Sequence, residues 1–291
     1  MAAYNISSVP ADGLNIFYRE AGPTDAPVIL LLHGFPSSSH QFRNLIPLLA
    51  AAYHVIAPDL PGFGFTEIPS SRAYPYTFES IATSIEAFLD ALSIKKFSPY
   101  VFDYGAPTGL RLALRRPDAV QAIFTQNGNA YEEGLGEFWD LIKEFWAGDG
   151  LNITAREAVR AATLTLDATK GQYLTGTVNS NSTIAPETYT LDQALLDRPG
   201  QLDIQLGLFY DYRKNVELYP QFQEYFRKSQ VPLIAFWGKN DPIFIPAGAE
   251  AFKKDLPNAE IHLLDAGHFA VESNTKEIAN LMLGFLKRNG I

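Results

Sequence analysis

The sequence has 291 residues, 47% hydrophobic and 19% charged, and this composition excludes a disordered chain, a fibrous repeat and a coiled coil. The absence of cysteine excludes disulfide bonds and thiolate chemistry, and the formal net charge of −9 argues against a nucleic-acid partner. Because no apolar run approaches the ~20 residues of a membrane helix and residues 1–5 do not begin a secretory signal, we expect a soluble, cytoplasmic protein without a membrane partner.

Short β-type runs alternate with helical patterns, which is typical of a mostly parallel sheet with helices on both faces. Several runs are continuously apolar, as expected for strands that are buried on both faces. The expected strands, in chain order, are residues 14–19, 28–32, 55–58, 97–102, 119–125, 231–237 and 260–264. The expected helices include residues 78–92 after the N-cap Thr77, residues 110–115, and residues 278–286 before Gly290.

The alternation stops after Gly128 and resumes at Val231. The residues between them contain helical patches over 138–145, 191–196 and 216–226 and a polar loop over 175–182. Most connections in compact domains have about 4–6 residues, so an insertion of this length should form its own helical substructure. One interpretation is a decoration of the core. Candidate chemistry on both sides of the insertion favours a lid over the carboxyl ends of the strands, where open α/β sheets bind ligands.

Asp103 lies in the segment VFDYGAPTG (residues 101–109), where a buried strand runs into small residues and then a helix. This is the pattern of a nucleophile elbow, in which small residues allow a sharp turn and close packing of the helix. The common role of an aspartate at such a place is an N-cap. Gly105 and Gly109, with the partners described next, favour a nucleophile that the helix N-terminus keeps ionised.

Two further residues follow later strands. His268, in LLDAGHF (residues 263–269), lies on the loop after the last strand, where a general base would stand. Asp241, in FWGKNDP, follows the preceding strand and can orient His268 and stabilise its charged form. Taken separately, His268 would be interpreted as a solvent-exposed loop residue and Asp241, before a proline, as an ordinary turn residue. The order Asp103, Asp241, His268 favours a catalytic triad, with Glu132 and Asp265 as weaker candidates for the place of Asp241.

A fourth motif, HGFP (residues 33–36), follows the strand at 28–32. Gly34 permits a tight turn that presents the Phe35 N–H beside the elbow, where the Tyr104 N–H also points. Two such backbone donors form an oxyanion hole.

In this order, the motifs together with DLPGFG (residues 59–64) resemble the α/β-hydrolase fold family. The resemblance covers the whole chain. It implies a core domain of residues 1–127 and 228–291, with a mostly parallel sheet flanked by helices, and an inserted helical cap of residues 128–227. An aspartate at the elbow is similar to the epoxide hydrolase and haloalkane dehalogenase branch.

An aspartate nucleophile also restricts the reaction. A carboxylate that attacks a carbonyl gives a reactive anhydride, whereas attack on a saturated carbon gives an ordinary ester, so Asp103 indicates displacement at saturated carbon. His268, held by Asp241, would then activate the water that hydrolyses this ester. We therefore expect a small uncharged organic substrate and water as partners, and no metal or organic cofactor.

The leaving group separates the two branches. Haloalkane dehalogenases typically place tryptophan after the nucleophile and often asparagine after His-Gly. Here Tyr104 and Phe35 stand at those positions, so Trp139 or Trp146 of the cap would have to replace a halide donor.

Epoxide hydrolases protonate the ring oxygen with two cap tyrosines. Tyr212 is the candidate for the later one, and Tyr210 lies close by. Tyr131 comes too early and Tyr173 too late for the other. The resemblance therefore favours an epoxide hydrolase. The alternatives are haloalkane or haloacid hydrolysis, fluoroacetate included, another hydrolytic or non-hydrolytic reaction, and a binding protein without turnover.

Overall fold

The computed structural model describes residues 4–148 and 150–291, so residues 1–3 of the predicted core and N-terminus lie outside the described part. Its centre is one sheet. The strands are β1 (Asn5–Ala11), β2 (Leu14–Ala21), β3 (Val28–Leu32), β4 (His54–Pro58), β5 (Ser98–Phe102), β6 (Ile123–Gln126), β7 (Leu233–Gly238) and β8 (Glu260–Leu264). Their order is β1-β2-β4-β3-β5-β6-β7-β8. Only the pairs of β2 with β1 and β4 are antiparallel, so the prediction of a mostly parallel sheet is confirmed.

The differences from the predicted strands have local causes. The sequence did not predict β1, because this edge strand exposes much of its length and has no continuous apolar run. The strand expected at residues 119–125 begins instead at Ile123, since Pro117–Ala119 forms a 3₁₀ turn.

The helices of the core lie on both faces of the sheet. They are α1 (Ile46–Leu49), α2 (Phe78–Ala91), α3 (Gly105–Arg115), α11 (Pro246–Ala251), α12 (Ala270–Ser273) and α13 (Thr275–Arg288). The side chain of Thr77 caps α2 by accepting the N–H of Ser80, as predicted. One apolar cluster joins the sheet to α2 and α3, and a second joins the opposite face to α1 and α13.

A helical segment, residues 127–232, separates β6 from β7, and we call it the insert. Its helices are α4 (Phe138–Ala147), α5 (Ile153–Thr163), α6 (Leu166–Leu174), α7 (Ser180–Thr183), α8 (Pro186–Leu196), α9 (Gln201–Asp211) and α10 (Arg213–Ser229). The described residues of the insert contain no strand, and the polar stretch expected as a loop ends in α7. α10 extends beyond the predicted boundary at residue 227.

The insert is fastened to the core by polar contacts. The Asp211 carboxylate accepts the Phe78 N–H at 2.9 Å, and the Arg111 guanidinium donates to Asn215 at 2.7 Å. These contacts hold the insert against the first turn of α2 and the middle of α3. No helix in the described ranges is long and apolar enough to cross a bilayer.

Candidate active site

Asp103 stands on the tight turn between β5 and α3. Its φ of +46° lies in the left-handed region, where a residue with a side chain is typically strained by about 1–3 kcal/mol. A side chain at Gly105 would clash with the backbone of Leu32 and His33, so the turn requires glycine there. The sequence thus folds into the predicted elbow, and the turn holds the Asp103 carboxyl group at the carboxyl edge of the sheet.

The two oxygens of Asp103 have different surroundings. Oδ1 accepts the Phe35 N–H at 2.6 Å, and Oδ2 lies 4.0 Å from Nε2 of His268. Glycine is required at position 34 because a Cβ there would clash with the Asp103 carboxyl group and the Tyr104 N–H. The loop and the elbow therefore bring both predicted oxyanion-hole donors to one carboxyl group.

Asp103 is only 6% exposed, and this burial raises the pKa of its carboxyl group to about 6. The charge of His268 and the backbone N–H groups of Phe35 and Tyr104 oppose the rise, because they stabilise the carboxylate. At neutral pH the group is consequently ionised in spite of its burial.

His268 is oriented by Asp241. Its Nδ1 donates to Oδ2 of Asp241 at 2.7 Å, which leaves Nε2 facing Asp103. Nε2 is buried and has no hydrogen-bond partner among the described residues. Burial disfavours the charged ring, but the Asp241 carboxylate, with a smaller contribution from Asp103, outweighs burial and raises the pKa of His268. The three residues have the geometry of a nucleophile, a base and an orienting acid.

Two residues that the sequence reasoning missed hold this arrangement. Asn127 donates to Oδ2 of Asp241 at 2.7 Å and accepts the Gly238 N–H at 2.9 Å. Gln126 donates to the backbone carbonyl of His268 at 2.6 Å. The signal that could have found them is a pair of polar residues at the carboxyl end of a buried strand. Oδ1 of Asp241 is satisfied by the Ile243 N–H.

The two weaker candidates for the acid lie on the surface. Glu132 is exposed in a 3₁₀ turn, and Asp265 is exposed and accepts from Asn240. Neither contacts His268, so the structure contradicts both alternatives. No group of three or more potential metal ligands occurs in the described parts of the chain.

A small cavity of about 10 Å³ lies against Asp103, which is room for about one water molecule. It lies between the core and helices α4, α6 and α9 of the insert. The lining residues are Phe35, Asp103, Tyr104, Phe138, Trp139, Gln172, Phe209 and Ile243. Gln172, whose polar side chain comes from α6, was not anticipated.

The two tryptophans proposed as halide donors already use their indole N–H groups in hydrogen bonds to the protein backbone. Trp139 lines the cavity, but its indole N–H donates to the carbonyl of Ile243 at 2.9 Å. The indole N–H of Trp146 donates to the carbonyl of Phe209 at 2.8 Å. Both N–H groups therefore hold helix α4 in place through backbone carbonyls. The expectation that they donate to a leaving group is wrong in this arrangement.

Tyr212, the predicted leaving-group donor, is fully buried and is not among the residues that line the cavity. Its ring packs against Trp139 and Tyr104, with centroids 4.5 Å and 5.8 Å away. Its hydroxyl lies 3.5 Å from that of Tyr219, and the Tyr219 oxygen accepts from the Asn129 amide at 3.1 Å. Either hydroxyl can be the donor across this long contact, because the Tyr219 oxygen has lone pairs for both Asn129 and Tyr212.

The three other tyrosines considered from the sequence face elsewhere. Tyr210 lies over the guanidinium of Arg213, 3.7 Å from the ring centroid, and packs against Phe145. It does not line the cavity, contrary to the expectation. Tyr131 donates to Asp255 at 2.8 Å. Tyr173 is bound to Asp192, so neither supplies a second hydroxyl to the cavity.

Comparisons with known proteins agree with this architecture. Residues 27–275 match a family described as the alpha/beta hydrolase fold. An uncharacterized hydrolase of Saccharomyces cerevisiae, YNR064C, is 49% identical over 96% of this chain and 95% of its own length. A haloalkane dehalogenase of Psychrobacter cryohalolentis is 28% identical over 95% of this chain and 88% of its own. The solved structure of the epoxide hydrolase CorEH has a TM-score of 0.78 at 21% identity, covering 98% of this chain and 99% of that one.

Proposed function

The chain belongs to the α/β-hydrolase fold family, and from this premise we propose that it hydrolyses epoxides through an ester formed on Asp103. One observation favours an oxygen leaving group over a halide. The indole N–H groups of Trp139 and Trp146 are bound to backbone carbonyls, whereas the Tyr212 hydroxyl makes only a long contact of 3.5 Å with the Tyr219 hydroxyl, which a stronger acceptor can replace. A phenol can give a proton to an epoxide oxygen, which a halide does not require.

The different surroundings of the two Asp103 oxygens support a specific first step. Oδ1 stays with the N–H of Phe35, so Oδ2 attacks the ring carbon. A C–O bond forms, the ring C–O bond breaks, and the released oxygen takes the proton of Tyr212. The ester carbonyl oxygen is then Oδ1, which already lies where charge develops in the next step.

His268 drives the second step. Water adds to the ester carbonyl and gives one proton to Nε2, while Oδ1 takes the negative charge beside the N–H groups of Phe35 and Tyr104. The intermediate collapses, the added hydroxyl passes its proton to the departing alkoxide, and the carboxylate and the diol are released. The proton on His268 returns to the phenolate of Tyr212, so the cycle consumes one epoxide and one water.

Substrate entry requires movement of the insert, which we propose is a cap. A cavity of about 10 Å³ has room for about one water molecule and is too small for any epoxide. Phe138 and Trp139 on α4, Gln172 on α6 and Phe209 on α9 close it. We infer that these helices separate from the core to admit substrate and close again to exclude water.

The test is incubation of the purified protein with styrene oxide and, separately, with 1-bromobutane. We expect diol and no bromide. His268→Gln should accumulate an ester, visible by intact mass as the protein plus one styrene oxide, because attack is kept and hydrolysis is lost. Asp103→Asn should form neither diol nor adduct.

The site of attachment and the alternatives are separated by further outcomes. One turnover in ¹⁸O water should label the carboxyl group of Asp103, and diol formed without that label would contradict the ester mechanism. Bromide without diol would favour dehalogenation, as the haloalkane dehalogenase relative suggests. No product from either compound and no adduct on His268→Gln would favour a binding protein.

A further inference from the structure

The hydroxyl of Tyr104 is buried without a hydrogen-bond partner among the described residues. The residue is 1% exposed, so solvent does not satisfy the group. A buried hydroxyl without a partner costs about 1–3 kcal/mol, and native proteins retain few of them. An unpaired hydroxyl at this place therefore requires an explanation.

The surroundings of the ring do not provide one. Aromatic side chains enclose it, with Phe78 at 4.8 Å and Phe35 at 5.9 Å between ring centroids. Phe209 and Tyr212 complete the enclosure at 6.0 Å and 5.8 Å. Phenylalanine would pack equally well here and would leave no polar group unsatisfied.

The position of Tyr104 connects the hydroxyl to the reaction. Tyr104 directly follows Asp103, and both residues line the small cavity. Among the other lining side chains, the Trp139 N–H is already bound to the carbonyl of Ile243. Gln172 is the only other one that carries polar atoms. Tyr104 is therefore a residue of the cavity, next to Asp103, whose hydroxyl has no hydrogen-bond partner among the described residues.

We propose that the Tyr104 hydroxyl is the second hydrogen-bond donor to the epoxide oxygen, acting with Tyr212 in place of an earlier tyrosine of the insert. This inference rests on the proposed epoxide hydrolysis. As Oδ2 of Asp103 attacks the ring carbon and the ring C–O bond breaks, negative charge develops on the ring oxygen. Tyr212 transfers its proton to that oxygen, and Tyr104 donates a hydrogen bond without losing its proton.

The protonation state of Tyr104 agrees with a donor role. Burial, with a further contribution from the charge of Asp103, raises the pKa of Tyr104 well above its ordinary value. The hydroxyl therefore keeps its proton at neutral pH. A donor fixed on the core also differs from one on the insert, because it stays beside Asp103 when the insert moves.

The test measures ester formation alone. In the His268→Gln protein, adduct formation with styrene oxide is followed by quenched intact mass, with and without Tyr104→Phe. We expect Tyr104→Phe to slow the reaction about 10- to 100-fold, the effect of losing one hydrogen bond to a charged group. It should leave the unfolding midpoint in urea unchanged or raise it, because an unsatisfied hydroxyl is removed.

Tyr225→Phe is the matched control. Its hydroxyl is also buried without a partner among the described residues, but it lines a different cavity between α3 and α10. Tyr225→Phe should leave the rate of adduct formation unchanged.

Equal rates with and without Tyr104→Phe would overturn this inference and leave epoxide hydrolysis standing. A slower rate accompanied by a lower unfolding midpoint would indicate a packing role and would also overturn it. If His268→Gln forms no adduct and the unmodified protein forms no diol, both proposals fail.

Discussion

Asp103→Asn should stabilise the fold while it abolishes the reaction. The carboxyl group of Asp103 is buried, and burial raises its pKa from 3.8 to about 6. Asparagine has the same shape, accepts the Phe35 N–H through its side-chain oxygen, and tolerates positive φ as well as aspartate does. The substitution thus removes the buried charge and changes little else.

The size of the effect follows from the shift in pKa. A rise of about 2 units at 1.36 kcal/mol per unit means that the ionised Asp103 destabilises the folded state by about 3 kcal/mol. Below pH ~4 the carboxyl group is protonated in both states and contributes nothing. Between pH ~4 and about 6 only the unfolded state loses the proton, so stability falls as pH rises. Above that range the full cost is present.

The assay is urea denaturation of the unmodified protein and Asp103→Asn at pH 4.5, 6 and 7.5, conditions chosen to span about the range of titration. The variant should be more stable at the highest pH, and the difference should shrink at the lowest. Asp265→Asn is the control, because hydrogen bonding by Asn240, helped by Lys239, lowers the pKa of that exposed carboxyl group. The reasoning is refuted if Asp103→Asn is no more stable at pH 7.5, or if its advantage does not depend on pH.

Two further predictions concern the rates. The burst of ester formation in the unmodified protein should slow about tenfold per pH unit below about pH 6, since only the carboxylate of Asp103 attacks. A burst rate that is independent of pH would contradict this. Asn127→Gly removes a donor to Asp241 without backbone strain, because φ at this position is +47°. It should slow ester hydrolysis about 10- to 100-fold with ester formation retained, so the ester accumulates in intact mass spectra; unchanged hydrolysis would remove Asn127 from this role.

The elements that the sequence predicted well are those fixed by local constraints. A buried strand followed by glycine at position 105 restricts the turn, and glycine at position 34 permits the close approach of Phe35 to Asp103. Both constraints are visible in nearby residues, so the elbow and the adjacent loop could be inferred from the sequence alone. The mostly parallel sheet followed in the same way from continuous apolar runs.

The contacts of the insert could not be predicted, because distant residues determine them. The partner of the Trp139 N–H is a carbonyl that lies 104 positions away in the sequence, and nothing near Trp139 indicates it. Tyr210 and Tyr212 are separated by one residue, yet the first packs over Arg213 and the second against Tyr104. The direction of each side chain depends on where α9 ends and α10 begins.

The burial of Asp103 also links the two steps of the proposed mechanism. Ester formation converts a destabilising buried charge into a neutral group, so the energy stored in desolvation favours the attack. The same conversion removes one of the two negative charges that raise the pKa of His268, and only Asp241 continues to raise it. His268 thus becomes more readily deprotonated once the ester exists, which is when a neutral base is needed. In the proposed mechanism, the timing of general-base catalysis therefore follows from electrostatics at Asp103.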